Sequence, residues 1–157
     1  MKIMLMSLGK ANEPYVKQGI EEFTKRLNKY FTAEWNIIAS PKNAASLSDS
    51  ELKIQEGKII LSQIQQDDFL VLLDERGKQF SSPQLAGFIQ QRANESVKRL
   101  AFLIGGAFGV SEEIYKRANY VWSLSGLVFP HMLVRLILAE QLYRACTILR
   151  NEKYHHV

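Results

Sequence analysis

An α/β fold, with a mainly parallel sheet and helices on both faces, is predicted by three features of the sequence. Short apolar runs alternate with segments of helical periodicity along the whole chain. Two of these runs, Phe69-Leu-Val-Leu-Leu73 and Leu100-Ala-Phe-Leu-Ile104, are apolar without interruption, as strands covered on both faces should be. No linker, repeat or low-complexity stretch divides the sequence, so one domain over residues 1–157 is expected.

The elements follow in order. Lys2 to Leu8 reads as a strand. A helix opens at Asn12 with Pro14 in its first turn, and the spacing of Ile20, Phe23 and Leu27 gives it an apolar stripe. Glu34 to Ala39 alternates as a second strand, and Ser40 to Leu47 is a polar loop. Ser48-Asp-Ser-Glu51 has the spacing of a capping box, opening a helix that runs to about Gln65. The third strand is Phe69–Leu73. Ser82-Pro83 opens the next helix, with the serine as N-cap. The fourth strand is Leu100–Ile104, Ser111-Glu-Glu starts a short helix, and Tyr120–Leu124 is a fifth strand. A long helix from about Met132 to Leu149 closes the fold. It is apolar nearly all round, which predicts burial on more than one face and therefore a homodimer to which it contributes.

The composition narrows the class. At 157 residues, 46% hydrophobic and 23% charged, the chain resembles an ordinary globular domain. No run approaches the ~18 apolar residues of a membrane span, and the apolar start Ile3–Met6 is too short for a signal peptide, so a cytoplasmic location is expected. The lone Cys146 excludes an internal disulfide, and no cluster has metal-ligand spacing, so no metal is expected. A net charge of +4 favours a polyanionic partner without requiring one.

Ligands of parallel sheets bind beyond the carboxyl ends of strands. Three loops leave strands there: Leu73-Asp-Glu-Arg-Gly-Lys78, Ile104-Gly-Gly-Ala-Phe-Gly109 and Ser125-Gly-Leu-Val-Phe-Pro130. The glycine loop fits neither the dinucleotide fingerprint nor a phosphate loop. Asp74-Glu75 reads either as paired carboxylates or as a solvated loop closed by Arg76. All three histidines lie between Ser123 and His156, where Arg135 and Arg144 interrupt an apolar helix. Such polar groups are costly in a buried helix and often mark a site.

Taken together, Leu-Asp-Glu-x-Gly, Phe-x-Ile-Gly-Gly-x-x-Gly, Ser-Leu-Ser-x-x-x-Phe-Pro-His-x-x-x-Arg-x-x-x-x-Glu-Gln-x-Tyr-Arg-Ala and a closing Tyr-His resemble the RlmH family over essentially the whole chain. These are SPOUT-class methyltransferases of the bacterial large ribosomal subunit. The resemblance implies a C-terminal segment threaded as a deep trefoil knot, a path that general rules of chain topology disfavour. It implies S-adenosyl-L-methionine as cofactor, lined by Leu73, Gly105, Leu124, Ser125, Gly126, Leu127, Val128 and Phe129. The implied reaction is methyl transfer to N3 of a pseudouridine in large-subunit rRNA, on ribosomes.

That imide nitrogen is a weak acid, so a base, or cations and donors that stabilise the imidate, should assist. His155 is the leading candidate for a base or orienting group, and Tyr154 for stacking on the target base or hydrogen bonding to it. Arg135 and Arg144 are candidates for holding RNA phosphate or the imidate, while Arg144 could equally pair with Glu140 along the helix. His131 is expected to be structural, and the Tyr154–His155 tail to order on RNA. Two positions depart from the family pattern: Val128 stands where threonine is common, and Asn151-Glu-Lys153 replaces Gly-x-Pro before Tyr154. The alternatives are a SPOUT enzyme acting on tRNA and a non-catalytic ribosome-binding module.

Overall fold

The computed structural model describes residues 1–156. Five strands, β1 (Lys2–Leu8), β2 (Thr32–Ile38), β3 (Phe69–Lys78), β4 (Arg99–Ile104) and β5 (Tyr120–Trp122), form one sheet in the order β2-β1-β4-β3-β5. Every neighbouring pair is parallel. The helices are α1 (Pro14–Leu27), α2 (Asp49–Gln63), α3 (Ser82–Asn94), α4 (Glu112–Arg117) and α5 (His131–Leu149).

The alternation of strand side chains divides the core into two layers. Ile3, Leu5, Val71, Leu100 and Phe102 face α1, α3 and α5, where Leu27, Leu85, Leu138 and Leu142 meet them. Met4, Met6, Leu70, Leu72 and Leu103 face the other way, against Ile60 of α2 and Ile114 of α4. The uninterrupted apolar runs of β3 and β4 are thus the strands with helices on both sides.

Local signals set most boundaries, with small shifts. Ser48 accepts from the Glu51 N–H while Glu51 reaches back to the Ser48 N–H, closing the predicted capping box. The cap of α3 is Ser81, one residue earlier than expected. It pairs reciprocally with Gln84, which frees the Ser82 hydroxyl to donate to Gln141 on α5. Helix α1 is capped by Glu13 without a side-chain bond, because the Asn12 side chain instead accepts from Arg135.

The largest departure concerns β3. The segment expected as a loop after Leu73 continues as strand to Lys78, with an irregularity between Leu73 and Lys78. Lys78 pairs again with Trp122, and its carbonyl accepts from the Ser123 N–H at 2.9 Å. Gly77 makes this possible, since a Cβ there would lie 2.5 Å from the Val121 backbone.

Helix α5 buries Arg135, Leu138, Ala139, Leu142, Ala145, Cys146 and Thr147, while Leu133 and Ile137 stay half-buried. Burial pushes the Cys146 thiol up to about 12, so it serves as a small core residue. Among the described residues no helix is long and apolar enough to cross a membrane.

Candidate active site

The carboxyl ends of β3, β4 and β5 open onto one cavity of about 640 Å³. Three chain segments wall it: Leu73–Arg76, Ile104–Val110 and the stretch Ser123–Phe129 that leads into α5. A cleft at the carboxyl ends of parallel strands is the usual place for a small-molecule site, and this one mixes apolar side chains with the charged Lys53, Asp74, Glu75, Arg76 and Glu112.

Each wall is fixed by its own local chemistry. On the first, Asp74 accepts from the backbone and guanidinium of Arg76 at 2.9 Å, and the guanidinium lies 4.3 Å above the Tyr115 ring. Burial works to raise the Asp74 carboxyl, but the hydrogen bonds and charge of Arg76 outweigh it and hold the group below its ordinary value. Asp74 is therefore a fixed anion braced by Arg76, and the paired-carboxylate reading of Asp74-Glu75 falls away. On the third wall, Ser125 accepts from the Leu127 N–H at 3.0 Å, and its carbonyl accepts from the Ser123 hydroxyl. This tight turn holds Leu127 and Val128 out, 71% and 86% exposed, at the cavity mouth. Two apolar side chains kept so open are suited to closing over a ligand.

Of the residues expected around the cofactor, Leu73, Gly105, Leu124, Ser125, Leu127, Val128 and Phe129 line this cavity, while Gly126 sits in the same turn without lining it. His131 also lines it. Burial, then the charge of Arg135, holds its imidazole below the usual range, so it stays neutral at pH 7.

Sequence reasoning missed the floor of the site. Lys53 from α2 and Glu112 from α4 reach the cavity wall. Behind the glycine loop lies Glu56, only 6% exposed, its carboxylate against Gly106. A glutamate followed by Gly57 within a helix was the available signal. Burial alone lifts the Glu56 carboxyl above its ordinary value. A raised folded-state pKa favours the fold while the group is protonated and loses that benefit as pH rises through it. Glu56→Gln should therefore raise the melting temperature at pH 7, with the difference shrinking as the pH is lowered into the carboxyl range. Thermal unfolding at several pH values checks this.

The other expected residues lie elsewhere. Helix α5 ends in a Schellman motif. Asn151, at φ 55°, donates to the Ile148 carbonyl, and Glu152 donates to that of Thr147. Asparagine thus takes the left-handed position for which glycine is usual, and the tail turns back along the helix. Tyr154 donates to Glu140 at 3.0 Å and packs edge-on against Tyr143 at 4.7 Å. Arg144 holds the same Glu140 oxygen through two nitrogens, at 2.9 and 2.5 Å, and its Nη1 stands 3.3 Å from His155 Nδ1. Tyr154, His155 and Arg144 therefore form one cluster around Glu140. Burial first, then the bond to Glu140, raises the Tyr154 hydroxyl and keeps it protonated.

Along α5, Glu140, which holds Tyr154, is about 9 Å from the cavity-lining Val134, and Arg144, beside His155, about 15 Å; none of the cluster lines the cavity of its own chain. Arg135 joins neither group. It is 1% exposed and donates to Ser7, the Lys10 carbonyl and Asn12 at 2.8 to 2.9 Å, which places it in the core beneath the β1–α1 turn.

Comparison with known proteins identifies this arrangement. A family profile described as "Predicted SPOUT methyltransferase" matches residues 1–155, and the chain belongs to that family. Within it, the chain is 47% identical over 156 residues to Ribosomal RNA large subunit methyltransferase H of Cytophaga hutchinsonii, covering 99% of this chain and all of that one. It is 48% identical to the protein of the same name from Christiangramia forsetii, covering 99% of each. Among solved structures, the tRNA (m1G37) methyltransferase of Aquifex aeolicus has the same fold. Its TM-score is 0.54 at 13% identity, over 92% of this chain and 70% of that one.

Proposed function

We propose that this chain is an S-adenosyl-L-methionine-dependent methyltransferase that modifies N3 of a pseudouridine in large-subunit ribosomal RNA. It acts on ribosomes, in the cytoplasm, as a homodimer of one SPOUT domain per chain. The observation that carries this reading is the convergence of three strand-end segments on one cavity, in a chain matched end to end by large-subunit rRNA methyltransferases. The stretch from Ser123 to Phe129 lines one cavity with the ends of β3 and β4, and Gly77 lies tight against Val121, which supports the trefoil path that the family resemblance implies.

The residues present suit the cofactor. Gly105 and the backbone of 124–129 allow close approach, and Leu127 and Val128 offer apolar cover. The carboxylates of Asp74, Glu75 and Glu112 outnumber the cations Lys53 and Arg76 in the wall, an excess that favours a cation. Val128 provides no hydroxyl, so polar contact at that position falls to backbone. When bound, the cofactor supplies a methyl group activated on a cationic sulfonium.

The tail cluster lines no part of its own cavity, and Arg144, beside His155, stands about 15 Å along α5 from Val134. This supports a composite site, with the tail of one protomer serving the cavity of its partner. Half-buried Leu133 and Ile137, in line with Glu140 and Arg144 on α5, offer the apolar contact. Within the tail cluster, Arg144 has donors only, so its approach to His155 requires Nδ1 to accept. Neutral His155 then carries its proton on Nε2 and presents a donor. The geometry thus favours donation to a pseudouridine carbonyl as imidate charge develops, rather than proton abstraction. Tyr154 remains a donor tied to Glu140, with its ring available for stacking on the base.

Transfer of labelled methyl to ribosomes lacking the modification tests the assignment, with incorporation at a pseudouridine expected. Transfer to free tRNA instead selects the tRNA alternative. No transfer, with cofactor binding intact, leaves a non-catalytic ribosome-binding module.

A second expectation concerns the glycine loop. A Cβ on Gly106 would lie 2.9 and 3.1 Å from the Glu56 carboxylate oxygens, so alanine must displace that buried carboxylate or the loop itself. Gly106→Ala should weaken cofactor binding about tenfold while the protein stays folded, as titration calorimetry would show.

A further inference from the structure

A second concavity, about 670 Å³, lies between the C-terminal turns of α1 and the C-terminal end of α5. Its walls carry four cations. Lys25 and Arg26 come from the last turns of α1, Lys29 from the turn that follows, and Arg150 from the cap of α5. Basic residues at one helix end complement its dipole and need no ligand. Here, however, a cation from a different helix converges on the same space.

The two acidic residues of the groove are already engaged. Glu22 accepts from Arg26 at 2.8 Å, and Glu152 accepts from the Tyr30 hydroxyl at 2.6 Å. Lys25 and Lys29 are exposed and enter no ion pair among the described residues. The groove therefore presents an uncompensated positive charge.

Its floor is aromatic. The Arg26 guanidinium lies 5.5 Å from the Tyr143 ring centre, and that of Arg150 lies 5.9 Å from the Tyr30 ring. At these separations the guanidinium and the ring are each flat surfaces on which a nucleobase can stack. Tyr143 also continues the row: it stands 6.3 Å from Tyr30 on one side and 4.7 Å from Tyr154 on the other. The groove thus runs directly into the tail cluster.

We propose that this groove binds a single-stranded segment of the RNA substrate beside the target base. Lys25 and Lys29 hold its phosphates, and the arginine-on-tyrosine pairs stack its bases. Cations alternating with flat stacking surfaces are the chemistry that recognises a single strand rather than a duplex or an acidic peptide. The proposal rests on the rRNA reading above for the identity of the strand.

The test compares the double variant Lys25→Gln/Lys29→Gln with Lys42→Gln/Lys116→Gln, an exposed lysine pair outside the groove. For the groove variant, KM for ribosomes should rise about tenfold at about 0.1 M salt, with kcat and cofactor affinity unchanged. The slope of log affinity against log salt should fall by roughly 1.5, the share of two phosphate contacts to a single strand. Binding of a short fluorescent oligoribonucleotide, read by anisotropy, should weaken in parallel. Equal losses in both double variants, no loss in either, or competition by polyglutamate as effective as by RNA would each overturn the proposal. If wild-type protein methylates no ribosome but binds the oligoribonucleotide through Lys25 and Lys29, the groove stands and the substrate assignment falls.

Discussion

His155→Ala should lower kcat for ribosome methylation by about 100-fold or more while leaving cofactor affinity and melting temperature close to wild type. Losing one preorganised donor to a developing anion typically costs 10²- to 10³-fold. The stability expectation follows from position: His155 is near the chain end and, among the described residues, its one polar contact is the 3.3 Å approach to Arg144. The form of the pH–rate profile separates donor from base. A base imposes its own protonation step on the wild-type profile, and that step disappears in the variant. A donor does not, so wild-type and variant profiles should run parallel, rising with pH as more imide ionises. His155→Asn, which keeps a donor in roughly the same place, should recover part of the loss. A protonation step present only in the wild type would instead assign His155 as the base.

The same tail allows a test of the composite site. A tail variant such as Tyr154→Ala/His155→Ala keeps a sound cavity, and a cavity variant such as Val128→Asp keeps a sound tail. Each homodimer should be nearly inactive. If the tail serves the partner's cavity, a mixed dimer has one intact site, and equal mixing should restore about a quarter of wild-type activity. If each tail serves its own cavity, mixing also leaves one chain impaired at each end and restores nothing. The ~15 Å between the cavity-lining Val134 and Arg144 along a straight helix favours the first outcome.

The fold was legible because its signals are local. Apolar runs, the Ser48 box and Ser111 before α4 are decided within a few residues, and the structure moves their boundaries only slightly. The loop 125–130 stood out by its place after a strand, but only the family motif gave it a ligand and added Leu124, since a turn made by Ser125 and exposed Leu127 looks like any loop. The misses are long-range. Strand β3 runs on to Lys78 because Trp122, 44 positions later, supplies a second pairing across Gly77. Nothing near residue 78 reports that partner. Glu56 likewise reads as a polar helix residue until α2 is laid against the glycine loop. Asn12 resembles a helix cap until Arg135, from the last helix, claims its side chain.

Arg135 is where the residue type misled most, and its replacement should have the largest effect on stability. An arginine in an apolar helix suggests phosphate or imidate binding, yet this one is sealed, and no acid pairs with it among the described residues. Burial lowers its pKa, but a guanidinium remains charged, so the fold must solvate that charge from within. Ser7, the Lys10 carbonyl, Asn12 and, more distantly at 3.5 Å, the Leu8 carbonyl do so. All four belong to the carboxyl end of β1 and the turn after it, which Arg135 thereby ties to α5. Arg135→Ala removes these charged donors, strands buried acceptors and leaves a cavity. The relieved desolvation of the ion offsets part of this loss, so a cost of about 3 kcal/mol is expected, a fall in melting temperature on the order of 10 °C. Arg135→Lys should retain part of the stability, because one ammonium can reach some of the same acceptors but cannot span Ser7 and Asn12 together. A catalytic residue would behave differently, leaving a stable protein with intact cofactor binding and a collapsed kcat. A structural tie predicts that Arg135→Lys, assayed well below its melting temperature, keeps kcat within a few-fold of wild type. Any loss should fall first on cofactor affinity, because His131 and Val134, on the same turn of α5, form part of the cavity wall.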